Sequence, residues 1–194
     1  MIKNSFKIVV LGILGFVFLV YLTAPQNPNN IEVNQNSKNI LNIDYIPRYF
    51  ELVGHSQYSK FETLFQKGVE KYIIVLNHDS LALFKDLFKY TNKNIVLIAN
   101  ISNTPWIIKQ LAVNGKLEEM YKESSIPLIN DSKGSFVSSF ALNDNTQNKY
   151  FIYKLNLDGT IVKISEALVE LNILEKGISE ENSKNSLEEI VKTF

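Results

Sequence analysis

The chain is 194 residues long, with 20 basic and 20 acidic side chains and no cysteine. A formal charge of zero supplies no clustered cations of the kind nucleic acid requires. The missing thiols exclude disulfides, zinc–thiolate sites and cysteine nucleophiles. A hydrophobic content of 45% over this length supports one cored domain with appendages.

The first element is an apolar run. Ile8 to Ala24, IVVLGILGFVFLVYLTA, carries no charge and follows Lys3 and Lys7. With Phe6 it approaches the roughly 20 residues needed to cross a bilayer core. A cleaved secretory signal is the rival reading, but Leu22-Thr23-Ala24-Pro25 is a poor small-x-small cleavage site. The sequence therefore favours an uncleaved anchor over residues 1–24, with the N-terminus cytoplasmic and the bulk of the chain outside. In a bacterium this is a single-pass inner-membrane protein whose domain faces the periplasm. Residues 25–42 are polar and rich in Pro and Asn, and read as a flexible linker.

A domain is expected over residues 43–178, with an N-terminal extension at 43–69 and a polar tail with a short helix at 179–194. Tyr49 to Val53 reads as a strand ending at Gly54. Ser59 and Glu62 have capping-box spacing before Phe61, Leu64 and Phe65, which predicts a helix. Lys71 to Leu76, KYIIVL, is an apolar β-branched run suited to a buried strand. Asp79 or Ser80 is expected to cap a helix with Leu83, Phe84, Leu87 and Phe88 on its inner face. Asn94 to Ile101 predicts a second buried strand, parallel to the first in a βαβ unit. It runs into a Ser/Asn/Thr/Pro corner and a helix begun by Pro105, broken at Asn114-Gly115 and continued to about Ser124. Ile126 to Asp131 reads as an extended piece and Phe136 to Phe140 as an amphipathic turn. Tyr150 to Leu155 and Thr160 to Ile164 flank Asn156-Leu157-Asp158-Gly159, a hairpin signal. Ala167 to Leu174 reads as a helix, and Ser186 to Glu189 as the start of a last one.

The resulting order is β-α-β-α, an irregular connection, a β-hairpin and a helix. Three stretches carry a family likeness: Asn94 to Gln110, Ile126-Pro127-Leu128-Ile129-Asn130-Asp131-Ser132-Lys133-Gly134, and Tyr150-Phe151-Ile152-Tyr153 running into Leu157-Asp158-Gly159-Thr160-Ile161. Over roughly Glu70 to Leu174 the chain resembles the thioredoxin fold, in its membrane-tethered TlpA-like and redoxin-like branch. The resemblance implies an α/β domain with a central sheet and flanking helices behind one transmembrane helix. Laid on that family, Thr104-Pro105-Trp106-Ile107 falls in the Cys-x-x-Cys slot, with both cysteines replaced. The family's cis-proline before the hairpin is replaced by Asn148-Lys149. Neither thiol exchange nor peroxide reduction is available to a threonine and an isoleucine. The resemblance therefore implies a redox-inactive relative with no cofactor.

Two readings of the site follow. In the first the protein is a binding or assembly module, with Asn103, Thr104, Pro105 and Trp106 meeting a protein partner. Thr104 is read as a helix cap and Trp106 as either a contact residue or an inward-packed aromatic. In the second it is a non-thiol enzyme in which His78 and Asp79 meet the loop carboxylates Asp131 and Asp144. Nothing has metal-ligand spacing, and His55 reads as a loop residue.

Overall fold

The computed structural model describes residues 41–102 and 114–194. The anchor expected over 1–24, most of the linker, and Asn103, Thr104, Pro105 and Trp106 lie outside those residues. Among the described residues no helix is long and apolar enough to cross a membrane.

Eight strands form one mixed sheet: β1 (Leu41–Asn42), β2 (Tyr49–Leu52), β3 (Tyr58–Lys60), β4 (Lys71–Leu76), β5 (Ile95–Ala99), β6 (Leu128–Asn130), β7 (Lys149–Leu155) and β8 (Thr160–Leu168). Their spatial order is β1-β8-β7-β4-β5-β6-β2-β3. β4, β5 and β6 are mutually parallel, whereas β7 runs antiparallel to both β4 and β8. The helices are α1 (Ser80–Phe84), α2 (Asn114–Tyr121), α3 (Ser135–Ser139), α4 (Ile173–Lys176) and α5 (Glu180–Val191).

The two central strands are apolar along their length because both faces of the sheet are covered. Tyr72, Ile74 and Leu76 join α1, α2, α4 and α5 in one core cluster. Ile73 and Val75 point the other way, into a cluster with Ile43, Phe50, Phe61, Phe65 and Phe136. That second face is closed by aromatics: Phe65 lies 6.0 Å from Phe50 and 6.2 Å from Phe136, ring centre to ring centre.

The βαβ pair beside an antiparallel hairpin, followed by helix, is the thioredoxin-like arrangement expected from the sequence. Several local expectations change. Ser59 lies in β3 rather than at a helix cap, and Phe61–Thr63 make only a short 3-10 turn. The hairpin's second strand continues through Ala167 to Leu168, because Asn148 and Val169 extend its pairing to β7; the helix follows at Ile173. Leu41–Asn42, expected in the linker, pair with β8, and the Asn42 side chain caps the 3-10 turn at Ile43–Tyr45. The polar tail is structural. α5 begins at Glu180 with Ser179 as its cap, not at Ser186, and buries Leu187 and Ile190. The ring of Phe194 then meets Tyr72 at 4.9 Å.

Candidate functional site

At the C-terminal end of the parallel strands, both β4 and β5 stop at an asparagine, Asn77 and Asn100. Open α/β sheets bind ligands at this edge, where strands on either side of a switch in order diverge. Backbone groups at such an edge need new partners, and the Asn77 carboxamide supplies two of them. Asn77 donates from Nδ2 to the carbonyls of Asp144 (3.2 Å) and Thr146 (2.8 Å), fastening the loop before β7. Asn100 Nδ2 donates to Asn77 Oδ1 at 2.8 Å, and the Ser102 hydroxyl donates to Asn100 Oδ1 at 2.9 Å. A chain of three side chains therefore ties the end of β5 to the end of β4 and onward to the loop.

Asp79 lies next to this chain and is fully buried. Its Oδ2 accepts the backbone N–H of Asn172 at 2.8 Å and the Gln147 amide at 3.1 Å, while Oδ1 stands 3.3 Å from His78 Nδ1. It makes no capping hydrogen bond to α1, contrary to the expectation from sequence. Instead it accepts the N–H of Asn172, the residue just before α4, which sits in the left-handed region at φ 63°. Ser80 is equally buried, and its hydroxyl turns back to the Asn77 carbonyl at 2.7 Å. A buried carboxylate held by an N–H, an amide and an imidazole is satisfied, which is the condition for tolerating it inside a fold.

Around this buried set lies an open depression of about 270 Å³ lined by Asn77, His78, Asn100, Ile101, Asn145, Gln147 and Glu175. The His78 side chain is 40% exposed, and Asn145, Gln147 and Glu175 are exposed. Larger grooves of about 400 and 430 Å³ run beside the β2–β3 hairpin and α2, past His55 and Glu118. The first is lined by Glu51 and Asn130, whose Nδ2 donates to Glu51 Oε2 at 3.2 Å.

The catalytic constellation weighed from sequence does not assemble in the depression. Asp131 is buried, and its carboxylate accepts the N–H groups of Phe136 and Val137 at 3.0–3.1 Å, capping α3. Asp144 accepts from the Thr146 hydroxyl at 2.7 Å and from Lys149 Nζ at 2.9 Å, which hold its pKa down at about 2. Neither lines the depression with His78. No group of three metal-ligating side chains occurs among the described residues.

The loop before β7 meets Asn77–Ser80: Asp79 N–H donates to Gln147 O at 3.0 Å and Asn77 N–H to Lys149 O at 3.1 Å. Neither Asn77–Ser80 nor Thr104–Ile107 holds a cysteine. The peptides of the described residues are all trans, including the pre-hairpin Asn148-Lys149. Asn103 to Trp106 follow directly after Ser102, whose hydroxyl is part of the asparagine chain.

No family model matches the chain, and no curated protein does. Solved structures do resemble it. AhpC of Enterococcus faecalis is 15% identical at a TM-score of 0.41, over 74% of this chain and 86% of that one. A putative protein disulfide isomerase from Bacteroides thetaiotaomicron is 14% identical at 0.41, over 77% and 87%. A secreted Mycobacterium tuberculosis disulfide oxidoreductase homologous to E. coli DsbE is 10% identical at 0.38, over 72% and 92%. Likenesses this distant carry no weight of their own. The thioredoxin-like assignment rests on the strand order and the antiparallel hairpin.

Sequence reading missed Asn77, Asn100, Gln147 and Glu175. One signal was present: two buried strands, KYIIVL and IVLIA, are each followed at once by asparagine.

Proposed function

We propose that this protein is a membrane-tethered, redox-inactive thioredoxin-like domain that binds a protein partner outside the cytoplasm, using the corner at the ends of β4 and β5. One observation carries the reading. The corner that meets the pre-hairpin loop holds a fully buried carboxylate committed to Asn172, Gln147 and His78. Those bonds stiffen three chain segments and leave His78, Asn145, Gln147 and Glu175 around an open depression. Preorganised polar groups on a rigid scaffold favour recognition, because little ordering entropy remains to be lost on binding. Asn103, Thr104, Pro105 and Trp106 belong to the proposed surface as the continuation of Ser102; a tryptophan there is the side chain best suited to anchor a partner. The apolar run Ile8–Ala24 supplies the tether.

The test is capture from membranes of the intact chain, compared with an Asn145→Ala, Trp106→Ala double variant. The expected result is selective loss of the same partner from the variant, with other captured proteins unchanged. An identical partner set would remove this surface from consideration.

A further inference from the structure

The end of the sheet opposite the corner is where the chain enters the domain, and it carries an exposed apolar patch. β4 runs from Lys71 at this base to Leu76 at the corner, about 17 Å at a strand's rise per residue. β7 is antiparallel to it, with Lys71 opposite Leu155, so the β7–β8 turn lies at the base. Three segments interlock there. Ile43 N–H donates to Gly159 O at 2.8 Å, Gly68 N–H donates to Leu157 O at 3.0 Å, and Lys67 pairs with Asp44 at 2.9 Å. Each segment presents an uncovered apolar side chain: Tyr45 is 70% exposed, Leu157 63% and Val69 39%. Of the neighbouring charges, Lys67 pairs with Asp44 and Lys154 with Glu70, while the Asp158 carboxylate beside Leu157 accepts from Thr160.

From this placement we infer that the base of the domain rests on the lipid surface that the N-terminal segment enters, with Tyr45, Val69 and Leu157 dipping into the headgroup region and the corner facing away. The inference rests on the tether reading of Ile8–Ala24. The occupant follows from where the chain comes in: Leu41 pairs with Ile161, immediately beside the interlocked segments. Residues 25–40, even fully extended, reach at most about 55 Å, so the base is held close to the surface. Tethering converts a weak contact into an intramolecular one, and a small patch then suffices. A tyrosine with an apolar body and a polar tip suits the boundary between lipid and water. With two local ion pairs cancelling and the Asp158 carboxylate left over, the contact has no net cation to draw anionic lipid. A domain seated in this way presents the depression at His78 and Asn145 outward, where a partner can reach it.

The chain has no native cysteine, so single labels report unambiguously. Full-length Leu157→Cys, Tyr45→Cys and Asn145→Cys, each carrying an environment-sensitive fluorophore, are reconstituted into phosphatidylcholine vesicles with and without headgroup-proximal spin-labelled lipid, after carbonate extraction. The expected result is retention in the pellet, with blue-shifted emission and quenching by spin-labelled lipid at positions 157 and 45 and neither effect at 145. Retention with positions 157 and 45 behaving like 145 overturns the docked base and leaves the tether intact. Shielding at 157 and 45 without quenching by lipid assigns the base to a protein contact and overturns the lipid surface. Release by carbonate overturns the tether and the inference together.

Discussion

The Asp79 carboxylate accepts the backbone N–H of Asn172 at 2.8 Å, joining the end of the central strand to the residue that caps α4. The same oxygen takes the Gln147 amide, so one side chain fixes three segments that are distant in sequence. Replacing Asp79 by Ala strands a buried N–H and removes a charge-assisted bond; it should lower stability by about 3 kcal/mol. Asp79→Asn keeps an oxygen in place for Asn172 and should lose roughly half as much. Denaturant unfolding of the two variants separates a specific lock from generic polarity; equal losses would contradict the lock.

Lys71 opens β4 and is buried, with no ion pair among the described residues. Burial pulls its ammonium below the usual lysine pKa. Between that lowered pKa and 10.5 the unfolded chain binds more protons than the folded one, so stability rises with pH across this window. Lys71→Met should therefore stabilise the protein at pH 7 by about 1–2 kcal/mol. The advantage should shrink as the pH climbs toward 10.5. Thermal unfolding across alkaline pH reads this directly; a pH-independent difference would sink it.

At the acid end the sign reverses. Asp144, held at about 2 first by the Thr146 hydroxyl and then by Lys149, contributes stability above the ordinary carboxylate pKa of about 3.9. That contribution disappears as the pH falls through about 2. The side chain is 35% exposed, so solvent screening limits the effect of Asp144→Asn to less than about 1 kcal/mol at pH 7. The gap between wild type and variant should close over that acid window.

Removing residues 179–194 tests whether the C-terminal helix belongs to the core. Leu187 and Ile190 are buried against the α1 face, and deleting them forfeits about 3–6 kcal/mol of burial. The truncated chain should lose cooperative unfolding or fall well below wild-type stability. A truncation with unchanged stability would mark α5 as an appendage.

The sheet's centre was legible because YIIVL and IVLIA are buried on both faces and read as short apolar runs. The hairpin was legible from Leu157-Asp158-Gly159, where Gly159 adopts φ +89° and a Cβ would meet Ile43 Cγ2 at 2.9 Å. Ala167 misled because its small apolar side chain fits helix and strand alike, and only pairing with Tyr150 in β7 decides between them. Ser186 misled because capping-box spacing recurs by chance; the operative cap is Ser179, whose hydroxyl accepts from Asn182 N–H at 3.2 Å. Asp79 looked like a cap because local spacing allows it, yet its partners lie at Gln147 and Asn172, which no local pattern reveals. Which parallel strand neighbours the hairpin is a property of sheet order, and sheet order is not written in local spacing.

The most direct test of the central claim is photo-crosslinking from a single position in the full-length protein in its membrane. A crosslinking side chain at Asn145, exposed on the rim of the depression and 3.5 Å from the Asn100 amide, is compared with one at the exposed Glu181 of α5. The account predicts one discrete protein adduct at 145, abolished by Asp79→Ala, and none at 181. Adducts absent at 145, or equal at both positions, would contradict it.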